Sequence, residues 1–382
     1  MQKPDYKGTG IVNLMSSILA HFGIESLYFP LKLFDSKEFK KKNNIVLFII
    51  DGLGYEYLCK KGKSSFLKKH LRGKMTSVFP PTTATAITTF GTGTAPQQHA
   101  ITGWFMWLKK LGVVSTILPF TPRYGEESFG KYGIKISHIL RARDIFSQIN
   151  CRSFTILPNV IKHSDFNRYQ SRTLTKLGYE TFNGFFMQIS RALNSSDKQK
   201  FIFAYWPVFD ELNHELGVNS KESYLHFRKL DRKIQKFSKK LDSKTSMIIT
   251  SDHGFIDTTK DRTIFLRDHP RLKDCLIMPM CGDSRTKYCY VHADKIKEFK
   301  DYINKKMKKY CWLFSSKELV EKNYYGLYKP SKEFLERIGD FVLLMKENYV
   351  LKDLLISEKE KLHIGNHGGV SSKEMFVPFI II

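Results

Sequence analysis

Three short apolar runs constrain this chain most, because each stops at a side chain able to do chemistry. Residues 45–50 read IVLFII and run into Asp51-Gly52. Residues 201–206 read FIFAYW and lead through Pro207 to Asp210. Residues 247–250 read MIIT and end at Ser251-Asp252-His253-Gly254. Such runs have no polar face, which is the pattern of strands buried on both sides of a parallel sheet. Helical stretches between them, as over 223–241, supply the crossovers that parallel strands need. The expected fold is α/β, a doubly wound and mostly parallel sheet. Ligands of such sheets bind beyond the carboxyl ends of the strands, so the polar stops are candidates for one rim.

From about residue 261 to 362 the pattern changes and lysines become dense. Residues 288–292 (YCYVH) read as a strand and 295–309 as a helix. This segment is expected to be an inserted, smaller α+β cap over the active face. Residues 1–260 and 363–382 then form the catalytic core. The chain re-enters that core at Gly365-Asn366-His367-Gly368-Gly369 and finishes in a last strand over 375–382.

Near the start, Ile11, Leu14, Met15, Ile18, Leu19 and Phe22 recur at helical spacing, with Asn13, Ser16 and Ser17 between them. An amphipathic first helix fits better than a signal peptide, since no small-x-small cleavage site follows. No stretch reaches the roughly 18 apolar residues of a membrane span. The expected location is cytoplasmic, with export lacking a cleaved signal as the alternative. Six cysteines occur without a C-x-x-C pair, which argues against a thiolate zinc site and for free thiols.

A net charge of +25 invites a nucleic-acid reading. Of the 62 basic residues, however, 47 are Lys and 15 are Arg, and the lysines scatter along the chain. Arg is the residue that reads bases and phosphates bidentately. The excess is read as a solvated surface, with no specific nucleic-acid recognition expected.

Asp51, Asp210, His214, Asp252, His253 and His367 make three carboxylates and three imidazoles at strand-to-loop transitions. That donor set suits borderline divalent ions, zinc above all, with manganese the alternative. Six ligands exceed one tetrahedral zinc and fit two ions that share them with substrate oxygens. Such a pair clamps the attacking and leaving oxygens of a phosphoryl displacement. A second element is Phe79-Pro80-Pro81-Thr82-Thr83-Ala84-Thr85, where residues 78–79 are expected to end a strand and a helix to begin near Thr83. A hydroxyl at a helix N-terminus sits where an alkoxide and an incoming phosphate are favoured. Two Zn²⁺ against three aspartates leave one positive charge, which a threonine alkoxide cancels. A singly charged phosphodiester can then approach without strong repulsion.

Together these motifs resemble the alkaline phosphatase superfamily, and most of all its type I phosphodiesterase/nucleotide pyrophosphatase branch. The resemblance runs from about Ile45 to the C-terminus and covers the insertion loosely. It implies an alkaline phosphatase-like core and Thr83 as the nucleophile of a covalent phospho-threonine intermediate, touching one metal. It implies Asp51, Asp252 and His253 as ligands of the ion that activates Thr83. Asp210, His214 and His367 would hold the second ion. Thr82 is the neighbouring alternative nucleophile. Aligned without gaps from Phe79-Pro80 to His99, the chain has Trp104 where the nucleotide pyrophosphatases have an amide donor to a phosphoryl oxygen. The Cys-x-Pro-x-Arg signature of sulfatases is absent.

The leading expectation is a di-zinc phosphodiesterase or pyrophosphatase acting on a small, nucleotide-like substrate. A phosphomonoesterase, or a phosphonate or lipid-headgroup hydrolase on the same centre, is the enzyme alternative. A basic binding protein with a structural metal centre is the non-enzyme alternative. Trp104 and Arg285 are the expected substrate contacts, Arg285 toward a distal phosphate. Phe105, Trp107, Tyr124 and Tyr169 are further aromatic candidates for stacking on a base.

Overall fold

The computed structural model describes residues 1–140, 144–196, 198–356 and 358–382. Its larger sheet has seven strands in the order Leu71–Thr76, Phe376–Ile381, Thr245–Thr250, Asn44–Ile50, Lys200–Trp206, Arg152–Pro158, Thr175–Tyr179. From Thr245–Thr250 to Thr175–Tyr179 every pairing is parallel. The last strand, Phe376–Ile381, runs antiparallel to both neighbours.

The three apolar runs are the three central strands, and both of their faces are covered. Ile45, Leu47 and Ile49 pack with Phe201, Phe203 and the helix Ile11–His21. Val46, Phe48 and Ile50 pack with Ile202, Trp206 and residues of the helices Phe182–Leu193 and Lys221–Ser238. Alternation within each run therefore sends successive side chains into two different cores, which is why no polar face is visible in the sequence.

The first helix departs from its expected amphipathic character. Ile11 to Leu19 are all buried, Asn13, Ser16 and Ser17 included. Their polar groups are satisfied: Asn13 donates to the Tyr6 and Phe29 carbonyls, Ser16 donates to Val12, and Ser17 accepts from the Leu31 amide. Buried polar groups are tolerated once paired. Residues 77–79 also lie outside a strand, since Leu71–Thr76 ends before them.

A second, antiparallel sheet runs Cys311–Ser315, Phe341–Met345, Thr286–Cys289, Cys281–Gly282, Phe105–Leu108, Val113–Thr116, Thr121–Pro122. Gly282 pairs with Phe105, so three strands from 105–122 share one sheet with strands of the 261–362 segment. Two small ribbons pair Ile256–Asp257 with Gly365–Asn366 and Thr263–Phe265 with Val350–Lys352. The six cysteines are free. Among the described residues, no helix is long and apolar enough to cross a membrane.

Candidate active site

Asp51 follows the strand Asn44–Ile50, and Asp252 and His253 follow Thr245–Thr250, its parallel neighbour. Asp210 and His214 lie one turn apart on the helix Val208–Leu216, which starts just after Lys200–Trp206. That spacing puts both on one helix face. His367 arrives from far along the chain. The pairing of Ile256 with Asn366 carries it beside the Asp252-His253 loop.

The side chains gather into two groups of three, Asp51, Asp252 and His253 in one and Asp210, His214 and His367 in the other. Within the first, His253 Nε2 lies 3.3 Å from Asp51 Oδ1 and 3.4 Å from Asp252 Oδ2. Within the second, His214 Nε2 lies 3.5 Å from Asp210 Oδ1 and 3.2 Å from His367 Nε2. The groups adjoin, with His253 Nε2 3.9 Å from Asp210 Oδ1 and the His253 and His367 rings stacked at 3.7 Å.

Five of the six side chains, all but Asp210, are held by an outer hydrogen-bond partner. The three Nδ1 atoms face the carbonyls of Gly254, Gly365 and Pro81, at 3.1, 2.9 and 3.3 Å for His253, His214 and His367. A carbonyl only accepts, so Nδ1 carries the proton and Nε2 turns a lone pair inward. Asp252 Oδ1 accepts from the Gly52 and His253 amides and from Ser251, and Asp51 Oδ2 accepts from the Tyr205 hydroxyl. Asp51 Oδ1, Asp210 Oδ1 and Asp252 Oδ2 are buried without a hydrogen-bond partner. Gly52 makes room for this turn. Its φ is +76°, and a Cβ there would meet the Phe255 ring at 2.4 Å.

The electrostatics follow from this crowding. Burial, then Asp252 and Asp210, push the Asp51 carboxyl well up. Burial, then Asp252 and Glu211, do the same to Asp210. Burial lowers all three imidazoles, His214 to about 3 and His367 well down. Orphaned carboxylate oxygens and inward Nε2 lone pairs together form the donor set of a divalent cation. These residues fit a metal.

Thr83 opens the helix Thr83–Thr92, and its hydroxyl donates to His253 Nε2 at 3.2 Å. Thr82 is buried and turned the other way, donating to Asp283 Oδ1 at 3.1 Å. Of the two candidate hydroxyls, only that of Thr83 faces the cluster. Since Thr82 does not cap the helix, the first-turn amides are left for an anion.

Two cavities meet at Thr83, Asp210 and Trp104. Trp104 therefore borders the centre, and Phe105 lines one of the two cavities. Tyr169 is turned away, donating its hydroxyl to the Leu140 carbonyl, and Tyr124 is exposed on the surface. Arg285 corrects the expectation of a free phosphate contact. It is 1% exposed and bidentate to Glu374, and its remaining donors reach the carbonyls of Lys346, Glu347 and Tyr349. No donor is left for substrate.

Tyr205 and Asp283 escaped the sequence reading. Tyr205 sits in FIFAYW, where an aromatic reads as core. Asp283 lies in the same Cys281-Gly-Asp-Ser-Arg285 turn that drew attention to Arg285.

Residues 45–369 match the family model for type I phosphodiesterase / nucleotide pyrophosphatase. No curated protein matches. Among solved structures, murine ectonucleotide pyrophosphatase/phosphodiesterase 5 aligns with TM-score 0.66 and 19% identity, over 88% of this chain and 87% of that one. The human protein aligns with TM-score 0.65 and 17% identity, over 88% and 87%. Phosphonoacetate hydrolase from Sinorhizobium meliloti 1021 aligns with TM-score 0.62 and 15% identity, over 88% and 89%. At these identities the structures establish the shared fold. The family match spans most of the sequence, and the chain belongs to the type I phosphodiesterase/nucleotide pyrophosphatase family of hydrolases.

Proposed function

We propose that this hydrolase cleaves a phosphodiester or phosphoanhydride of a nucleotide-like substrate through a covalent intermediate on Thr83. The observation behind this reading is the placement of the Thr83 hydroxyl at a helix N-terminus against two adjoining Asp/His triads. Two divalent ions, zinc by the nature of the donors, would be held by Asp51, Asp252 and His253 and by Asp210, His214 and His367. They would supply Lewis acidity that lowers the hydroxyl pKa and neutralises charge on the phosphoryl oxygens.

The Thr83 hydroxyl gives up its proton to solvent as Oγ1 forms a bond to phosphorus; the bond to the leaving oxygen breaks, and the leaving group departs with the electron pair. Water then bonds to phosphorus, the bond from phosphorus to Oγ1 breaks, and Oγ1 takes back a proton, which restores the hydroxyl. The uncapped first-turn amides offer hydrogen bonds to a phosphoryl oxygen. They stand in for the amide side chain whose place Trp104 takes.

The larger cavity, about 700 Å³, opens from Asp51, Thr83 and Asp210 and is walled by Leu157, Phe166, Trp206 and Val208 among others. Its apolar walls suit a flat base or another apolar substituent on the retained phosphoryl group. A murine neighbour has been solved as an inactive threonine-to-alanine variant with AMP. The present chain shares its fold and is proposed to share that class of ligand.

The test compares a chromogenic phosphodiester with the matching monoester, for wild type and Thr83→Ala, with added zinc and with chelator. Diester turnover abolished by both the substitution and the chelator is expected. Turnover that survives either one overturns the reading. Preference for the monoester would move the assignment to a phosphatase.

A further inference from the structure

Lysines that scatter along the sequence converge where the fold brings strand starts together. The parallel strands of the larger sheet point one way, so their amino ends share one edge. Asp51 and Asp252 follow the opposite, carboxyl ends. Main-chain hydrogen bonds run along the amino edge. The Asn43 amide donates to the Lys244 carbonyl at 2.8 Å, the Lys200 amide to Asn43 at 3.3 Å, and the Arg152 amide to Gln199 at 3.1 Å. With strands about 4.8 Å apart, this row is on the order of 15 Å long.

The segments that lead into these strands are basic. Lys40, Lys41, Lys198, Lys239, Lys240 and Lys244 are exposed. Lys42 is half-buried and donates to the Ser243 carbonyl at 2.8 Å, which sets 40–42 beside 243–244. Among the described residues, none of these lysines forms an ion pair. Asp242 is the acid among the described residues of 40–44, 198–200 and 239–244. On the adjoining stretch, Asp35 accepts from the Lys37 amide and Glu38 pairs with Arg72. The helix Lys221–Ser238, which ends just before Lys239, continues the charge. Arg228, Arg232 and Lys236 lie on one side of it and border one surface depression. Charge of one sign gathered this way repels itself until counter-charge covers it.

What the edge lacks narrows the kind of counter-charge. Its charges are mostly lysine, a compact point charge that does not grip phosphate bidentately. Exposed aromatic side chains such as Phe29, Tyr124, Tyr132 and Tyr328 lie outside the strand-start segments, so bases find no stacking platform there. A layer of negative headgroups needs neither feature, because it attracts lysines through diffuse charge.

We infer that this edge docks the protein on an anionic lipid surface. The docked sheet points its strands away from the bilayer. Asp51 follows the seven-residue strand Asn44–Ile50, so it stands about 20 Å above the lysine row and opens to solution. The site then takes its substrate from water, and the headgroups under the protein are out of its reach. The docking does not rest on the phosphoryl-transfer reading.

The test is co-sedimentation of the full chain with phosphatidylcholine vesicles, with and without phosphatidylserine. Binding is expected only with phosphatidylserine and should weaken as salt rises from about 50 to about 300 mM. Each lysine near such a surface strengthens binding about fivefold. Replacing Lys40, Lys41, Lys239 and Lys240 together by Gln should therefore weaken it at least about a hundredfold, with Tm unchanged. The control replaces Lys305, Lys306, Lys308 and Lys309, also exposed, by Gln. Its loss should stay within about tenfold, since it removes the same net charge away from the edge. No binding to the phosphatidylserine vesicles, or equal losses in the two variants, overturns the docking edge. Tighter binding to a DNA duplex, lost in the first variant, overturns the lipid assignment in favour of nucleic acid. Amine acetylation of wild type, read by mass spectrometry, checks the orientation without any variant. Vesicles should shield Lys40 and Lys240 and leave Lys359 and Lys361, at the second cavity, reactive. Shielding of Lys359 and Lys361 instead overturns it. None of these readouts uses turnover, so their failure is distinct from failure of the hydrolase reading.

Discussion

Arg285 and Glu374 form a buried bidentate ion pair, with Nε 3.0 Å from Oε1 and Nη2 2.9 Å from Oε2. The Gly369 amide donates to the same Oε1 at 2.8 Å. The pair therefore ties the turn between Cys281–Gly282 and Thr286–Cys289 to the segment that follows His367. Burial alone would raise the Glu374 carboxyl, but the guanidinium beside it holds it below the usual range.

Breaking this pair from one side leaves a buried charge without a counter-ion. Arg285→Met is expected to lower stability by about 3–5 kcal/mol. Because a well-packed apolar replacement of both partners is often nearly neutral, Arg285→Met with Glu374→Leu should recover a substantial part. Urea denaturation of the two single variants and the double variant measures the coupling. A single variant as stable as wild type would remove the pair from the account of how the His367 loop is held.

The two adjacent hydroxyls should separate sharply in kinetics. Thr83→Ala is expected to reduce kcat/KM for a diester by at least about a thousandfold, as loss of a nucleophile does. Thr82→Ala removes only the contact to Asp283, and its loss should stay within about tenfold. Steady-state kinetics on both variants decides, and the reverse ranking would transfer the nucleophile to Thr82.

His99 predicts an acid sensitivity away from the candidate centre. It is 1% exposed, accepts from the Ile101 amide at Nδ1, and lies 3.1 Å from the Thr89 hydroxyl at Nε2. Burial, with Arg337 adding to it, lowers its pKa to about 3. Between that value and the unfolded one, near 6.5, the unfolded chain binds the extra proton. Stability from His99 is thus full above about pH 6.5 and declines as pH falls toward 3, by on the order of 1.4 kcal/mol per unit. The urea midpoint of His99→Gln should depend less steeply on pH across that window than that of wild type. Identical pH profiles would show that His99 does not contribute.

The rim of the centre was legible because parallel strands buried on both faces must be apolar throughout, so the first polar residue after each run marks a strand end. Asp51, Asp252 and His253 follow directly, and the i, i+4 spacing of Asp210 and His214 places them together. Other features depend on partners far along the chain. Glu374, which neutralises Arg285, is 89 residues away. Gly282 meets Phe105 across the second sheet, so strands from 105–122 join those of the 261–362 segment. Periodicity records only local neighbours. The first helix misled for a related reason, since Asn13 and Ser17 are paired by flanking segments at Tyr6, Phe29 and Leu31 that no helical pattern reveals.

Tyr205 tests whether the inward presentation of Asp51 depends on its outer contacts. The Tyr205 hydroxyl donates to Asp51 Oδ2, which leaves Oδ1 turned toward His253. Burial, followed by the charges of Asp51 and Asp252, pushes the phenol well up, so it remains a donor at neutral pH. Tyr205→Phe keeps the ring and its packing while removing that one hydrogen bond. Loss of an outer partner of this kind typically weakens a metal site about 10- to 100-fold. Zinc affinity, followed by competition with a chromophoric chelator, is expected to fall by that amount, and the melting temperature without added metal to change little. Unchanged affinity would mean that the Gly52 turn alone orients Asp51. A large drop in metal-free stability would instead make Tyr205 a core residue whose hydroxyl is incidental to the centre.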